Sequence, residues 1–321
     1  MANSRTFSRP LIVLSVIASA AVIVGAGIAV SNVISGGSST NPLDGSTPYV
    51  DPDSSAAKAL SSATSAEKAA FTQLASTPAA IWLLPEDHAT DEVGDFVASV
   101  ANAASTVGQT PVFVVYGIPD RDCSNESAGG LSSAEYPAWV SSIAAGLVGH
   151  KAVVVLEPDS LALSVSCGNT DERTAEINDA VDRLAADGTS IYLDGGHSNW
   201  LDPQAQATLL VDAGIAKTRG FASNVSNFNP TSDEKAYDEK VSALAGGAHY
   251  IIDTSRNGNG ANGEWCNPSG RKTGDTPAAV SDGTALDALL WIKNPGESDG
   301  ECNGGPGAGD WWPAGALALV Q

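Results

Sequence analysis

Three aspartates follow segments that have the composition of buried strands. Asp122 follows Val-Val-Tyr-Gly-Ile-Pro-Asp-Arg, Asp159 follows Val-Val-Val-Leu-Glu-Pro, and Asp299 follows Trp-Ile-Lys-Asn-Pro-Gly-Glu-Ser. An apolar run that ends at Pro or Gly with an acid just beyond it is typical of a parallel strand that carries a functional residue at its C-terminal end. Because such ends share one rim of a sheet, we expect the three carboxyl groups to lie together. Carboxyl groups so placed can donate and accept protons, as hydrolysis of a glycosidic bond requires.

Asp159 is the best candidate for the proton donor. It follows Glu157 and Pro158, and the proline stiffens the turn out of the strand. Asp122 would raise the pKa of Asp159 as a neighbouring like charge, and Asp299 would lie across the cleft. Taken singly, each acid could instead cap a helix or accept loop amides, which is the commoner role of a loop aspartate.

The elements that must position these acids alternate between apolar strands and Ala-rich helices. Seven strands are predicted, at Ala80–Leu84, Val112–Ile118, Ala152–Leu156, Ile191–Leu193, Gly220–Val225, Tyr250–Asp253 and Leu289–Lys293. Helical apolar spacing occurs at 133–148, 171–186, 203–214 and 232–246. This alternation predicts an α/β fold with a parallel sheet closed or nearly closed into a barrel.

The composition limits the classes of partner. At 321 residues the chain can hold one large domain with a sizeable core. A net charge of −21, with 16 Lys and Arg residues, argues against nucleic acid or an anionic membrane surface, because both attract basic patches. An uncharged substrate fits this charge better, although acidic surfaces also serve solubility in many exported proteins.

The N-terminal region predicts export. Residues 1–10 contain Arg5 and Arg9, and an uncharged, mostly apolar segment follows at 11–33. Twenty apolar residues span about 30 Å as a helix, so this segment fits either a membrane anchor or a cleaved signal peptide. In both cases the positive charges put the rest of the chain, a linker at 34–41 and one domain at 42–321, outside the cytoplasm. We therefore expect a secreted protein, or one anchored by residues 11–33.

Four cysteines lie in the exported part, namely Cys123, Cys167, Cys266 and Cys302. Thiols outside the cytoplasm are usually oxidised, and four cysteines allow three pairings. One of these, Cys123 with Cys167 and Cys266 with Cys302, closes two separate loops that flank the candidate acids. A zinc site is disfavoured because no close Cys-x-x-Cys or Cys/His cluster occurs. No metal or other cofactor is expected.

Six motifs make the chain similar to a known family. In order they are Tyr-Gly-Ile-Pro-Asp-Arg-Asp-Cys-Ser, Leu-Glu-Pro-Asp-Ser-Leu, Asp-Gly-Gly-His-Ser-Asn-Trp-Leu, Ser-Asn-Val-Ser-Asn-Phe, Gly-Glu-Trp-Cys-Asn-Pro and Trp-Ile-Lys-Asn-Pro-Gly-Glu-Ser-Asp-Gly. At this spacing, from about Asn41 to the C-terminus, the chain resembles glycoside hydrolase family 6, the inverting β-1,4-glucanases and cellobiohydrolases.

The resemblance implies a distorted, seven-stranded parallel (β/α) barrel of the TIM-like class, with a cleft at its C-terminal rim. It implies that Asp159 is the general acid, and that Asp122 tunes Asp159 and helps to order the catalytic water. Asp299 matches the position of the base. Tyr116 matches a tyrosine beside the reacting sugar, where it would crowd the relaxed chair and favour a distorted ring.

The resemblance also supplies candidates for binding a glucan, which needs aromatic faces against sugar faces and polar groups that reach hydroxyls. The matching positions are Trp82, Trp200 and Trp265 for stacking, and His197, Asn224, Lys293 and Glu297 for hydroxyl groups. Asn227, Asp194 and Arg256 match further polar residues around the cleft. Apart from the resemblance, the tryptophans could be partial core, His197 a base, and Lys293 with Glu297 a surface ion pair.

Two features of the loops bear on activity. Residue 128 is Ala where several relatives have a serine that helps to hold the catalytic water, so Ser127 would have to substitute for it or the loop must pack differently. The segments 266–286 and 300–309 are short where exo-acting members roof the cleft with long insertions. The chain is therefore predicted to be a monomeric endo-β-1,4-glucanase that cuts internal bonds with inversion.

Three alternatives remain at this stage. One is a catalytically silent glucan-binding barrel, and another is cellobiohydrolase-type exo action. The third is a retaining glycosidase, in which the two working carboxyls would stand about 5–5.5 Å apart.

Overall fold

The computed structural model describes residues 40–186 and 188–321. The predicted N-terminal segment (1–10), the apolar segment (11–33) and all but the end of the predicted linker (34–41) lie outside the described residues. Within the described ranges, no helix combines the length and the apolar character needed to cross a bilayer.

The strands in the described residues are β1 (Thr47–Pro48), β2 (Ile81–Leu83), β3 (Gln109–Thr110), β4 (Val112–Val115), β5 (Ala152–Leu156), β6 (Thr189–Asp194), β7 (Gly220–Ser223), β8 (His249–Asp253), β9 (Ala278–Ala279) and β10 (Leu286–Leu290). The α-helices there are α1 (Ser55–Ser61), α2 (Lys68–Ser76), α3 (Val93–Thr106), α4 (Tyr136–Leu147), α5 (Ser160–Cys167), α6 (Thr170–Leu184), α7 (Pro203–Asp212), α8 (Thr231–Leu244) and α9 (Pro313–Val320). Short 3₁₀ helices lie at Asp122–Ser124 and Ile215–Lys217.

One parallel sheet runs in the order β2-β4-β5-β6-β7-β8-β10. Its two ends approach each other, since the amide of Ala80, before β2, donates to the carbonyl of Trp291, after β10, at 2.9 Å. The sheet thus curls into a distorted barrel, and the predicted seven-stranded parallel architecture is confirmed. β9 adds an antiparallel eighth strand beside β10, and β1 pairs with β3 in a separate ribbon.

The central strands are continuous apolar runs because both of their faces are buried. β4 is Val-Phe-Val-Val and β5 is Ala-Val-Val-Val-Leu, and every residue of both is buried. Val114 and Val155 pack in the barrel interior, whereas Phe113 and Val154 belong to the layer between the sheet and its helices. The barrel therefore has a rigid core on both sides of the strands that lead to the C-terminal rim.

The last parallel strand differs from the prediction. The sequence predicted a strand at Leu289–Lys293, whereas β10 spans Leu286–Leu290 and pairs with β8. Beyond its end the buried carboxylate of Asp253 replaces the ladder, accepting the backbone amides of Ile292 (3.2 Å) and Lys293 (2.9 Å). A side chain therefore holds this segment to the sheet.

The segment before β2 packs against the barrel. The side-chain amide of Asn41 donates to the carbonyls of Val280 (3.1 Å) and Asp287 (2.6 Å), and Leu43 is fully buried. Helices α1 and α2 form an apolar cluster with α9 around Phe71. The chain is thus part of the folded body from Asn41 onward.

Two disulfides join Cys123 to Cys167 and Cys266 to Cys302, with Cα–Cα distances of 6.4 Å and 6.2 Å. This is the pairing, among the three that the sequence allowed, that closes separate loops. The first bond links the loop after β4 to the end of α5, and the second links two loops near Asp299. Both therefore tether segments that carry or adjoin the candidate acids.

Replacing Asp253 with Asn should destabilise the domain. The Asp253 carboxylate also accepts the amides of Ser226 (3.0 Å) and Ser255 (2.8 Å), so four backbone donors share its two oxygens. A side-chain NH₂ in place of one oxygen would face two of these donors, and we expect the free energy of unfolding to fall by about 2–4 kcal/mol. Denaturant titration measures this loss, with Asp212→Asn at an exposed helix end as the matched control. Equal stability of the two variants would contradict the role given to Asp253.

Candidate active site

A cleft of about 1060 Å³ opens at the C-terminal ends of the parallel strands. Its lining includes the predicted residues Asp122, Asp159, Asp299, Tyr116, Trp82, His197, Trp200, Trp265, Lys293 and Glu297. The barrel thus brings together residues that lie far apart in the sequence, as the strand-end pattern predicted. Of the predicted catalytic and glucan-binding residues, Asn224 alone is not in this lining.

Asp159 lies in the turn between β5 and α5. Its φ of 68° and that of Glu157, 51°, are in the left-handed region, which is costly for residues other than glycine. The amide of Asp159 donates to Asp194 at the end of β6 (3.0 Å), and Asp194 also accepts the amide of Gly196 (3.0 Å). Burial raises the pKa of Asp194 to about 7. Asp194 thus fixes the turn that presents Asp159 to the cleft.

The side chain of Asp159 has no cationic partner in the part of the chain that the structure describes. Burial raises the pKa of its carboxyl well above the ordinary value, and the nearby carboxylates of Asp194, Asp122 and Asp299 raise it further. No residue in the described part of the chain donates a hydrogen bond to it. Asp159 therefore holds its proton more tightly than an ordinary aspartate, which is the property required of a general acid.

Glu157 is fully buried just before this turn. Its carboxylate accepts the amide of Gly117 (3.0 and 3.1 Å) and the hydroxyl of Tyr136 (2.9 Å). Burial raises the pKa of Glu157 to about 7, against the effect of these donors. Glu157 therefore ties the end of β5 to the chain leaving β4, which leads to Asp122.

The loop that carries Asp122 is strained and tethered. Positive φ angles of 47–72° occur at Asp120, Asp122, Cys123 and Ser124. The Asp122 carboxylate accepts the amide of Ser127 at 2.8 Å, and the bond from Cys123 holds the loop to α5. Ser127 lines the cleft beside this carboxylate, so it is available for the water-holding role that residue 128 cannot fill.

Asp299 lies in a different environment from Asp159. Nη1 of Arg256 lies 2.9 Å from both of its carboxylate oxygens, and the amide of Asn267 donates to Oδ2 at 2.9 Å. Arg256 is buried, with its guanidinium 4.4 Å from the ring centroid of Phe228. Asp299 is thus paired with a cation, whereas Asp159 has no cationic partner among the described residues.

Aromatic and basic groups form one wall of the cleft. The rings of Trp82 and Tyr116 meet edge to face, with centroids 5.2 Å apart, and Lys293 Nζ lies 5.7 Å from the Trp82 ring. Lys293 and Glu297 form a largely buried ion pair at 3.9 Å. Burial and the charges of nearby aspartates raise the pKa of the Tyr116 hydroxyl, so Tyr116 remains neutral.

His197 and Trp200 form the opposite end of the cleft, with ring centroids 5.3 Å apart. Burial lowers the pKa of His197 to about 4, so the ring is uncharged at neutral pH and its Nδ1 accepts the amide of Asn199. Buried Glu234 on α8 holds this loop by accepting the amide of Ser198 (3.1 Å) and its hydroxyl (2.5 Å). Burial raises the pKa of Glu234 to about 7.

A family model described as "Glycosyl hydrolases family 6" matches residues 43–321, nearly the whole of the described chain. The chain belongs to glycosyl hydrolase family 6. The resemblance predicted from the six motifs is thereby confirmed, and the barrel with its acid-lined cleft is the fold of this family.

Known members of family 6 differ in their similarity to the chain. Endoglucanase A of Cellulomonas fimi is 45% identical over 276 residues, which cover 85% of this chain and 60% of that protein. A probable 1,4-β-D-glucan cellobiohydrolase C of Neosartorya fischeri is 34% identical over 322 residues, covering 83% and 71%. An endoglucanase from Mycobacterium tuberculosis, solved with methyl-cellobiosyl-4-deoxy-4-thio-β-D-cellobioside, superimposes with a TM-score of 0.83 at 42% identity, covering 88% of this chain and 98% of that one. The endoglucanases are thus more similar to this chain than the cellobiohydrolase.

Asn224 departs from the expectation for this family 6 chain. It is fully buried, and its amide group donates to the carbonyls of Asn229 (3.2 Å) and Asp253 (2.9 Å) and accepts the amide of Asn229 (3.1 Å). Its side chain is therefore occupied beneath the cleft, and we assign it to shaping the loop that contains Asn227. By contrast, Trp265 is 57% exposed at the cleft edge, where a ring face is free.

Two residues of the family 6 site were not predicted. Asp253 ends the predicted strand Tyr250–Asp253, and an acid at a strand end was a signal that could have identified it. Glu234 lies in the apolar spacing of α8 and resembles any solvent-facing helical acid, so the sequence contained no signal for it. Among the described residues, no group of three or more His, Cys, Asp and Glu side chains is placed to hold a metal ion.

The buried carboxyls predict that stability falls as pH rises. Glu157, Asp194 and Glu234, each with a pKa near 7, bind a proton more tightly in the folded than in the unfolded chain. Their stabilising effect is complete below the unfolded pKa of about 4 and is lost as pH rises through 7. We expect a lower Tm at pH 8 than at pH 5. In Glu234→Gln the loss of unfolding free energy between these two pH values should be smaller by roughly 3 kcal/mol at 25 °C, so its Tm should fall less.

Thermal unfolding at several pH values measures this effect. Glu172→Gln, at an exposed position on α6, is the matched control and should keep the pH dependence of the original chain. If Glu234→Gln behaves like Glu172→Gln, the Glu234 carboxyl is not the group that titrates.

Proposed function

We propose that this chain is an endo-β-1,4-glucanase that hydrolyses internal bonds with inversion, with Asp159 as the general acid. The observation that carries the proposal is the contrast between two acids of one cleft. Asp159 is half-buried, has no cationic partner among the described residues and has a raised pKa, whereas Asp299 is paired with Arg256. Inverting glycosidases need one protonated and one ionised carboxyl in such a cleft.

In this mechanism Asp159 gives its proton to the glycosidic oxygen as the bond to the anomeric carbon breaks. A water molecule attacks that carbon from the opposite face, and its proton passes toward Asp299. Asp122 keeps the pKa of Asp159 raised and, with Ser127, helps to order the water. Tyr116 packs beside the reacting sugar and favours its distorted ring.

The glucan lies along the cleft between aromatic faces. Trp82 and Trp200, on opposite walls, and Trp265 at the edge stack on sugar rings, because such rings present C–H groups to an aromatic face. His197, Lys293 and Glu297 bind hydroxyl groups. An uncharged His197 suits this role better than that of a base.

Internal cutting requires a cleft that is open at both ends. The short segments 266–286 and 300–309, and the higher identity to an endoglucanase than to a cellobiohydrolase, both support endo over exo action. A silent binding barrel would have no need to bury an unpaired acid at a cost in stability. We further propose that the monomeric enzyme works outside the cytoplasm, secreted or anchored by residues 11–33.

Asp159→Asn should lose about 10²–10⁴-fold in kcat, because the amide cannot donate a proton to the leaving oxygen. Binding of cello-oligosaccharides should persist. Asp120→Asn is the matched control, since Asp120 is exposed on a neighbouring loop outside the cleft lining. Turnover of Asp159→Asn at the rate of Asp120→Asn would exclude Asp159 as the acid.

The stereochemistry of the first product tests the mechanism itself. NMR of the reaction on a soluble β-1,4-glucan oligosaccharide should detect the α-anomer before mutarotation, because a single displacement inverts the anomeric carbon. Early β-anomer would mean a retaining mechanism, and no product would favour a binding-only protein.

Trp200→Ala should raise the KM for cello-oligosaccharides about tenfold, or ~1.4 kcal/mol, while kcat changes less. Trp200→Phe, which keeps a ring face, should lose less than Trp200→Ala. The same KM in all three proteins would assign Trp200 to packing alone.

A further inference from the structure

A second cavity of about 450 Å³ lies beside the main cleft, between the segment Asp51–Lys58 and the segments 294–297 and 308–310. We call it the side groove. Its volume falls within the range of about 300–1,000 Å³ that is typical of small-ligand sites. It is continuous with the cleft, because both are lined by Trp82, Leu84, Asp87, Glu297, Ala308 and Gly309.

Glu297 links the two cavities. Its Oε1 accepts the hydroxyl of Ser55, at the start of α1, and its Oε2 accepts the amide group of Asn294. Ser55 and Asn294 both line the side groove, so Glu297 lies at the boundary that the two cavities share.

The walls of the side groove suit a sugar. Its lining includes the apolar side chains of Ile81, Leu84 and Trp82. Polar side chains in its lining are Asn294, Asp310, and the oppositely charged Asp51 and Lys58, which lie close enough to interact electrostatically. An apolar lining with a few polar groups is the usual composition of a carbohydrate site.

We propose that the side groove is a further glucosyl subsite, which binds the next sugar of the same chain beyond the one that lies against Trp82. The inference rests on the proposed glucanase function. An internal cut leaves glucan on both sides of the cleft, so an open groove at this end has a natural occupant in the substrate. The segment from Asn41 to α1, which packs on the barrel through Leu43, forms one wall of this subsite.

The test compares kcat/KM on cellotetraose and cellohexaose. In the original chain the hexasaccharide should be the better substrate, because it reaches the side groove. In Lys58→Ala/Asp310→Ala the rate on cellohexaose should fall about tenfold, since two polar contacts are lost, while that on cellotetraose stays within about twofold. Both positions are exposed, so folding is expected to persist. Lys151→Ala/Asp212→Ala, at exposed positions away from the cleft, is the matched control and should behave as the original chain.

A second variant and a binding measurement distinguish failure of the subsite proposal from failure of the proposed glucanase function. Thr77→Trp, at the half-buried edge of the side groove, should fill it and remove the advantage of the longer substrate. In an Asp159→Asn background, calorimetry should show tighter binding of cellohexaose than of cellotetraose, and Thr77→Trp should abolish the difference. If the ratio of kcat/KM on cellohexaose to kcat/KM on cellotetraose is unchanged in both variants, the subsite proposal is wrong, whereas the proposed glucanase function is unaffected. If the original chain cleaves neither oligosaccharide, the proposed function itself fails, and the subsite with it.

Discussion

Carboxyl groups are buried at one rim of the barrel, and the surrounding structure must compensate for each of them. An ionised carboxylate removed from water without a partner is costly, so it must be neutralised, paired or surrounded by donors. Asp253 accepts four backbone amides, Asp299 pairs with Arg256, and Glu157 and Asp194 combine amide donors with raised pKa values. The loops of the cleft are ordered because their amides bind these side chains. The acids that cost stability thus also determine the shape of the site.

Asp159 is the exception, and its difference has chemical consequences. It donates its own amide to Asp194, but within the described ranges its carboxyl has no hydrogen-bond donor and no cationic partner. The least costly state for such a group is the protonated one, which is the state that the proposed proton donor needs. Asp299, on the same cleft, is instead paired with Arg256. Two residues of one chemical type therefore have different environments because of their neighbours, a difference that composition cannot reveal.

The sequence predicted the parallel sheet well because its signal is strong. Runs such as Val-Phe-Val-Val are short, rich in β-branched residues and buried on both faces, a pattern that is typical of a central parallel strand. Prediction failed where side chains replace regular structure. The end of β10 was placed too late because Asp253 continues the hydrogen bonding of Ile292 and Lys293 after the ladder stops. Asn224 stays a predicted substrate-binding residue, and the structure adds that its amide group is hydrogen-bonded within its own loop and to Asp253. Helices α1 and α2 lie in a Ser- and Ala-rich stretch, and they depend on tertiary packing around Phe71.

Backbone strain is concentrated at the same rim. Left-handed φ angles occur at ten non-glycine residues of the described chain. Eight of them lie in loops that follow strands β4, β5 and β7, namely Asp120, Asp122, Cys123, Ser124, Glu157, Asp159, Asn224 and Ser226, and the other two are Asn267 and Asn303. Each such residue costs of order 1–3 kcal/mol and persists only where its surroundings determine it. Here the determinants are the rigid strands, the Cys123–Cys167 bond and the buried carboxylates that bind loop amides. Because the strained residues include Asp122 and Asp159, relaxation of these loops would change the burial of Asp159 and its distance from the neighbouring carboxylates, which together raise its pKa. The rigid barrel core therefore helps to maintain the environment that raises this pKa.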